Sequence, residues 1–189
     1  MRYWTADLHF GHANILGYCD RPFADLAAMH EGLIERWNDA VGADDEVWVL
    51  GDVAMGRFDE SIALVKRLRG RKVLVAGNHD RCWAGHGDRA VGYGDVYRAA
   101  GFERIVQTAT KIDVAGTSVV VSHFPYRGDT QPVDRYVEHR ADDTGLVILH
   151  GHVHGNWQVN GRQINVGVDV RDYAPVSEDM LAREIAAAV

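Results

Sequence analysis

Asp7 and His9, Asp52, Asn78, His123, and the pair His152 and His154 are scattered along the chain but share one setting. Each stands just past the carboxyl end of a short apolar run. The five runs "YWTA", "VWVL", "VLVA", "SVVVS" and "LVIL" lead into "DLH", "GD", "GNHD", "H" and "HGHVH". Carboxylates, neutral imidazoles and an amide carbonyl are ligands for divalent metals of intermediate hardness. Taken singly, each fragment has a plain reading as a turn or a helix cap. Repetition at the end of every run calls for a common cause, and a shared cation explains the whole crowd of acids and imidazoles at once. The donors are too many for one ion and suit two ions sharing a carboxylate. Two metals about 3.5–4 Å apart clamp an in-line displacement at phosphorus and generate hydroxide near neutral pH, so phosphoester hydrolysis is the expected chemistry. The chain contains no HExxH, GxxxxGK[ST] or GxSxG motif, which sets aside zinc-peptidase, phosphate-loop and serine-nucleophile readings.

Donors so dispersed need elements that end together. The apolar runs read as strands buried on both faces. Between the first two, "DLAAMHEGLIERWNDAV" places Leu26, Met29, His30, Leu33, Ile34, Trp37 and Val41 at helical spacing behind an Asp25 cap. "DESIALVKRLRG" predicts a second helix opened by Asp59 and closed by Gly70. Strand, helix, strand, helix, strand is an α/β pattern, and in such sheets ligands bind beyond the carboxyl ends of the strands. If the chain stays extended there, Asp7 and His9 point the same way, as do His152 and His154. "TKIDVAGTSVVVS" and "NWQVNGRQINVGV" predict hairpins of a mixed sheet, the second turning at Asn160-Gly161 in type I′ geometry. "SEDMLAREIAAAV" predicts a closing helix capped near Ser177, and residues 127–144 a long surface loop. No repeat, low-complexity tract or linker interrupts the chain, so residues 1–189 are expected to form one domain.

Hydrophobic residues at 47% and charged residues at 25% give the balance of a soluble globular protein. A formal charge of −7 argues against extended nucleic-acid binding, which depends on Lys and Arg neutralising phosphates, although bound cations would reverse the sign locally. Cys19 and Cys82 stand apart and outside any CxxC pattern, so reduced thiols are expected rather than a disulfide or a thiolate zinc site. The start lacks a basic and apolar leader, and no apolar stretch approaches the ~20 residues that cross a bilayer. A cytoplasmic protein of unspecified oligomeric state is expected.

The fragments "DLH", "GD", "GNHD", a lone "H" after an apolar strand and "GHVH", in that order across residues 3–167, resemble the signature of the calcineurin-like metallophosphoesterases. "DLHFGHANI" together with "SHFPY" resembles a small phosphoesterase group of bacteria and their phages. The resemblance implies a four-layer α-β-β-α sandwich with two mixed sheets and a dimetal centre at its edge. Carried over by motif, Asp7, His9 and His154 would bind the first metal and Asn78, His123 and His152 the second, with Asp52 bridging. His79 would be the proton donor, and a metal-bridging hydroxide the nucleophile. Mn, Fe, Zn and Ni all suit such ligands, and Mn is favoured. Small size and His79, which suits a poor alkoxide leaving group, favour phosphodiesters: cyclic nucleotides or nucleotide-like esters. A phosphomonoesterase or a dinucleotide polyphosphate hydrolase would use the same core. A non-catalytic metal-binding scaffold for protein interaction is the alternative of another class, and the complete set of ligands and the proton donor argue against it.

Further residues carry weaker signals. His12 and Asn14 could face the substrate or serve the local backbone, and Asn78 could add a substrate contact to its metal role. Arg127, close behind His123, is a candidate phosphate contact. Asp80 is expected to orient His79 or a turn, and His150 to support the site. His30, His86 and His139 read as structural or solvent-facing, and the run Lys66, Arg67, Arg69, Arg71, Lys72 as a solvated face at a helix end.

Overall fold

Two five-stranded sheets form the frame of the computed structural model, which describes residues 1–188. The strands are β1 (Arg2–Thr5), β2 (Glu46–Val49), β3 (Arg71–Val75), β4 (Phe102–Val106), β5 (Thr110–Val114), β6 (Thr117–Val121), β7 (Ile148–His150), β8 (Val159–Asn160), β9 (Gln163–Asn165) and β10 (Val176–Ser177). The helices are α1 (Ile15–Tyr18), α2 (Leu26–Ala40), α3 (Phe58–Ala63), α4 (Tyr93–Ala100) and α5 (Glu178–Ala188). The first sheet has the order β10-β1-β2-β3-β4, parallel except where β10 closes antiparallel on β1. The second has the order β5-β6-β7-β9-β8, with a parallel centre and antiparallel edges. The expected α/β architecture with two mixed sheets is therefore present.

Alternate residues of each central strand enter different cores, which is why these strands are apolar throughout. Trp4, Trp48, Leu50, Val73 and Val75 meet Val119, Val121, Leu149 and Ile164 between the sheets. Val47, Val49 and Leu74 face the other way, against Met29, Leu33 and Trp37 of α2. Asp25 caps that helix, its carboxylate accepting from the Ala28 N–H at 2.8 Å. On the outer face of the second sheet, Val120 and Ile148 are covered by Tyr126, Ala141 and Leu146 of the β6–β7 connection. Helix α5 instead sends Leu181 and Ile185 into the core between the sheets. The β6–β7 connection on that side includes a 3₁₀ turn at Val137–His139.

Local departures from expectation have local causes. Helix α3 starts at Phe58, with Arg57 rather than Asp59 in the cap position, and tightens into a 3₁₀ turn over Leu64–Arg67. Gly70 follows at φ +81°, and Lys72 is buried, donating to the carbonyls of Leu68 and Gly70 at 2.8 Å each. That member of the basic run satisfies orphaned carbonyls instead of facing solvent. In the β8–β9 hairpin Asn160 pairs with Gln163, so Gly161 and Arg162 form the turn. Of these two only Gly161, at φ +57°, is left-handed, which is the type II′ pattern and replaces the expected type I′ turn at Asn160-Gly161. Strands β4 and β10 and helix α4 escape a periodicity reading because they are short, and β4 and β10 lie on sheet edges where polar residues interrupt the apolar pattern. Ser177 Oγ accepts from the Met180 N–H at 3.4 Å at the head of α5, while Val189 of the predicted helix lies outside the described residues. Among the described residues no helix is long and apolar enough to cross a membrane.

Candidate metal centre

The segments that follow β1, β2, β3, β6 and β7 converge at one end of the two sheets. Beyond the strands, the chains after β1 and β2 stay paired: the N–H groups of Asp7, His9 and Phe10 donate to the carbonyls of Gly51, Asp52 and Val53 at 3.0 Å each. Asp7, His9, Asp52, His152 and His154 all have left-handed backbones, with φ of 59°, 52°, 56°, 71° and 48°. The same-side placement of Asp7 and His9, and of His152 and His154, therefore does not come from extended chain, as alternation predicts. Left-handed residues curl each segment around a buried apolar residue, Leu8 in one and Val153 in the other. Asp, Asn and His tolerate this conformation best, yet each such residue costs about 1–3 kcal/mol, a strain that clusters at functional sites. Gly51, at φ +88°, sits where any Cβ would lie 2.4 Å from His123 Nδ1. Only glycine lets that ring pack so close.

Asp7, His9 and His154 offer donor atoms all within 4.8 Å of one another, and so do Asp7, Asp52 and His123. Asp52 Oδ2 lies 3.6 Å from His9 Nε2 and 3.5 Å from His123 Nε2, between the two groups. His123 Nδ1 is 2.8 Å from the Leu50 carbonyl, which can only accept, so this nitrogen carries a proton, and Nε2 lies 3.1 Å from Asn78 Oδ1. A carboxylate, an amide oxygen and an imidazole nitrogen thus converge on one point. His9 Nε2 is buried and has no hydrogen-bond partner. Burial pushes the Asp7 carboxyl above its ordinary range, only partly offset by His154 and His123. Burial also works against charge on His154, but Asp7 and Asp169 outweigh it and hold the ring protonated up to about 11. A place that gathers acceptors and stabilises positive charge in this way fits divalent cations.

Comparison with known proteins agrees with this geometry. The family model described as the calcineurin-like phosphoesterase superfamily domain matches residues 6–167. The chain belongs to the calcineurin-like phosphoesterase superfamily. Its relatives include the gene 66 protein of Mycobacterium phage D29, 36% identical over 93% of this chain and 92% of that one. An uncharacterised protein of Methanocaldococcus jannaschii is 30% identical over 97% of this chain and 90% of its own length. Among solved structures, a protein of unknown function from Aquifex aeolicus superposes with a TM-score of 0.75 at 26% identity, covering 98% of this chain and 99% of that one.

The phosphoesterase domain surrounds these donors with contacts that sequence patterns do not announce. His154 Nδ1 is 2.8 Å from Asp169, and buried Arg21 binds Asp169 through Nε and Nη2 at 2.8 and 3.0 Å. The same guanidinium donates to the backbone carbonyls of Asp7 and Leu8 at 2.7 and 3.0 Å, tying the first donor segment to the last. His152 Nε2 is 3.0 Å from Asp129, whose carboxylate also takes Arg135 at 2.6 Å and Arg140 at 3.2 Å. Burial raises the Asp129 carboxyl, but the bonds from Arg135 and His152 win and keep it ionised well below the usual range. An ionised carboxylate only accepts, so the His152 proton sits on Nε2 and Nδ1 is left bare. Asp169 engages the other nitrogen of His154, Nδ1, so Nε2 is the one not hydrogen-bonded to it. Asp169 follows the apolar "INVGV", the same acid-after-strand signal that marks Asp7 and Asp52, and could have been found by it. Asp129 and Arg21 lie in polar segments that carry no such signal.

A cavity of about 800 Å³ opens over the centre and is bounded by His9, His12, Asp52, Asn78, His79 and Arg135 among others. His79 is exposed within it, its backbone N–H donating to Asp52 Oδ1 at 2.9 Å. His12 also faces this space; its ring is 5.3 Å from that of His9 and its Nδ1 is buried without a partner. Asn14 is exposed in the N-cap position of α1 and makes no side-chain cap bond. Arg127 does not line the cavity: its N–H goes to Gln163 Oε1 at 2.8 Å, and Gly128 at φ +94° turns the chain so that Arg135 takes the wall instead. His150 is buried with Nδ1 2.7 Å from the Gly151 carbonyl, outside the donor cluster, and burial lowers its pKa to about 3. Asp80 does not hold the His79 ring; it clasps backbone N–H groups of Asp52, Val53 and Gly77. His30 accepts from the Gly11 N–H at 2.9 Å, a structural tie from α2 to the first donor loop, and His139 packs its ring 4.7 Å from Trp83.

Proposed function

We propose that this chain is a dinuclear metal-dependent phosphodiesterase acting on nucleotide-like diesters. The observation that carries the reading is the Asp52 carboxylate lying between the His9 and His123 nitrogens, at 3.6 and 3.5 Å, in a buried cluster of carboxylate and imidazole groups. In this reading Asp7, His9 and His154 hold one ion, Asn78, His123 and His152 a second, and Asp52 both. When bound, two divalent metals, with Mn favoured, supply Lewis acidity at phosphorus and a water activated near neutral pH. Asp129 and Asp169 orient His152 and His154, and Arg21 locks the two ends of the donor set together. Hydrolysis places a water oxygen on phosphorus, breaks the bond to the leaving oxygen and requires a proton there. His79, exposed in the cleft above Asp52, delivers that proton, while His12 and Arg135 contact the nonbridging oxygens. Free thiols at Cys19 and Cys82 support a reducing compartment, which we take to be the cytoplasm. Return of β10 to pair with β1 supports reading residues 1–189 as one domain.

Turnover of bis(p-nitrophenyl) phosphate against p-nitrophenyl phosphate in Mn²⁺ tests the substrate class. A clear preference for the diester is expected, and strong preference for the monoester would transfer the reading to a phosphomonoesterase. Metal-loaded protein that hydrolyses neither compound would point to a scaffold. A second test bears on the ligand set: Asp129→Ala is expected to weaken binding of one metal equivalent by about 10–100-fold, the usual cost of removing a carboxylate behind a ligating histidine. Metal titration reads this directly, and two unchanged binding steps would remove Asp129 from the centre.

A further inference from the structure

A second concavity, a cavity of about 400 Å³ lined by Arg81, His86, Arg89 and Tyr93, begins two residues along the chain from His79. No carboxylate lines it, in a chain whose formal charge is −7. Nearby Arg57 and Arg98 are paired with Glu60 and Asp95, whereas among the described residues Arg81 and Arg89 make no ion pair. Arg81 is nonetheless held in place: its guanidinium lies 4.3 Å over the Phe58 ring and donates to the Tyr93 hydroxyl at 2.9 Å. Its backbone N–H donates to the Tyr97 hydroxyl at 3.1 Å, and Tyr97 in turn binds Asp80. The turn carrying His79 and Arg81 is therefore one clamped unit. His86 lines this cavity and packs edge-on against Trp83, with ring centres 5.3 Å apart.

Guanidinium forks and imidazoles in a site free of acids recognise phosphate oxygens, and a tyrosine face suits a sugar or a base. If His79 protonates the leaving oxygen, whatever follows that oxygen extends toward this side. We propose that Arg81, His86, Arg89 and Tyr93 form a leaving-group subsite for a second phosphate, so that the preferred substrates are diesters whose departing nucleotide carries a further phosphate. This rests on the phosphodiesterase reading above. In the reaction one water is consumed: its oxygen bonds to phosphorus, the P–O bond to the departing nucleotide breaks, and the departing oxygen takes the proton from His79 to become that nucleotide's hydroxyl. Of the water's two protons one replaces that of His79 and the other stays on the product phosphate or passes to solvent.

The test compares dithymidine monophosphate with its analogue phosphorylated at both ends, using the full chain loaded with Mn²⁺. The end-phosphorylated diester is expected to have about tenfold higher kcat/KM, the scale of one charge-assisted contact. Arg89→Ala, at an exposed residue without hydrogen bonds among the described residues, should bring the ratio of the two kcat/KM values to about one, with Arg89→Lys in between. Equal kcat/KM values in the wild type, or a ratio that Arg89→Ala leaves intact, overturns the subsite. Equilibrium dialysis of both ligands in EDTA separates the two readings. Tighter binding of the end-phosphorylated ligand that Arg89→Ala abolishes, with no hydrolysis in Mn²⁺, keeps the subsite and refutes the diesterase. Turnover of both diesters without discrimination does the reverse.

Discussion

Replacing His79 with alanine is expected to lower turnover of alkyl phosphodiesters by about 10²–10⁴-fold while leaving the metal content unchanged, the range of a lost general acid. The two halves of this expectation have separate structural grounds. His79 contributes to the donor cluster only through its backbone N–H, which binds Asp52 Oδ1 at 2.9 Å and which alanine retains. Its imidazole projects into the cleft, with its ring centre 5.6 Å from that of His9, where a leaving oxygen would lie. An alkoxide leaves poorly without a proton, whereas p-nitrophenoxide is stable enough to leave unaided. The loss should therefore be much smaller for bis(p-nitrophenyl) phosphate than for a dinucleotide. Kinetics with both substrates and metal analysis of the purified variant decide the matter. An equal loss with both leaving groups would mean that His79 positions the phosphate and does not protonate the product.

Asp80→Ala is expected to destabilise the fold by about 3–5 kcal/mol, because it strands several buried donors at once. The fully buried Asp80 carboxylate accepts from the N–H groups of Asp52, Val53 and Gly77 at 2.9, 3.0 and 2.9 Å and from the Tyr97 hydroxyl at 3.1 Å. Each N–H left unpaired in the interior costs about 1–3 kcal/mol. At roughly 2–4 °C per kcal/mol for a chain of this size, the melting temperature should fall by about 10 °C. Burial pushes the Asp80 carboxyl above the ordinary range and neighbouring Asp52 adds to this, while bonds from Gly77 and Val53 oppose it. Asp80→Asn should cost less than alanine, since its amide oxygen still accepts. Thermal and urea unfolding measure both variants. A drop of less than about 2 °C for Asp80→Ala would show that the clasp is dispensable.

The candidate donor positions were legible because each strand is a continuous apolar word broken by a polar letter, and the break recurs at the same end of five strands. Helix α2 was legible for a related reason: its core-facing residues repeat at helical spacing behind Asp25, whose cap bond is local. Edge elements such as β4 and β10 were not, because one side of an edge faces solvent and its sequence need not be apolar. The 127–144 loop gave no warning that Asp129 reaches back to His152, since nothing local distinguishes a buried aspartate from one in an ordinary turn.

By itself the sequence determined the α/β class and the order in which the candidate donors arrive, since these follow from residue type and from hydrophobic runs that must be buried. Only the tertiary structure decided how the donors meet. Left-handed backbone at Asp7, His9, Asp52, His152 and His154, not extended alternation, curls them together. Contacts between residues far apart in the chain, Arg21 with Asp169 and Asp129 with His152, choose which imidazole nitrogen is engaged. Proton placement on a histidine depends on what its other nitrogen touches, and that neighbour is supplied by packing rather than by adjacent sequence.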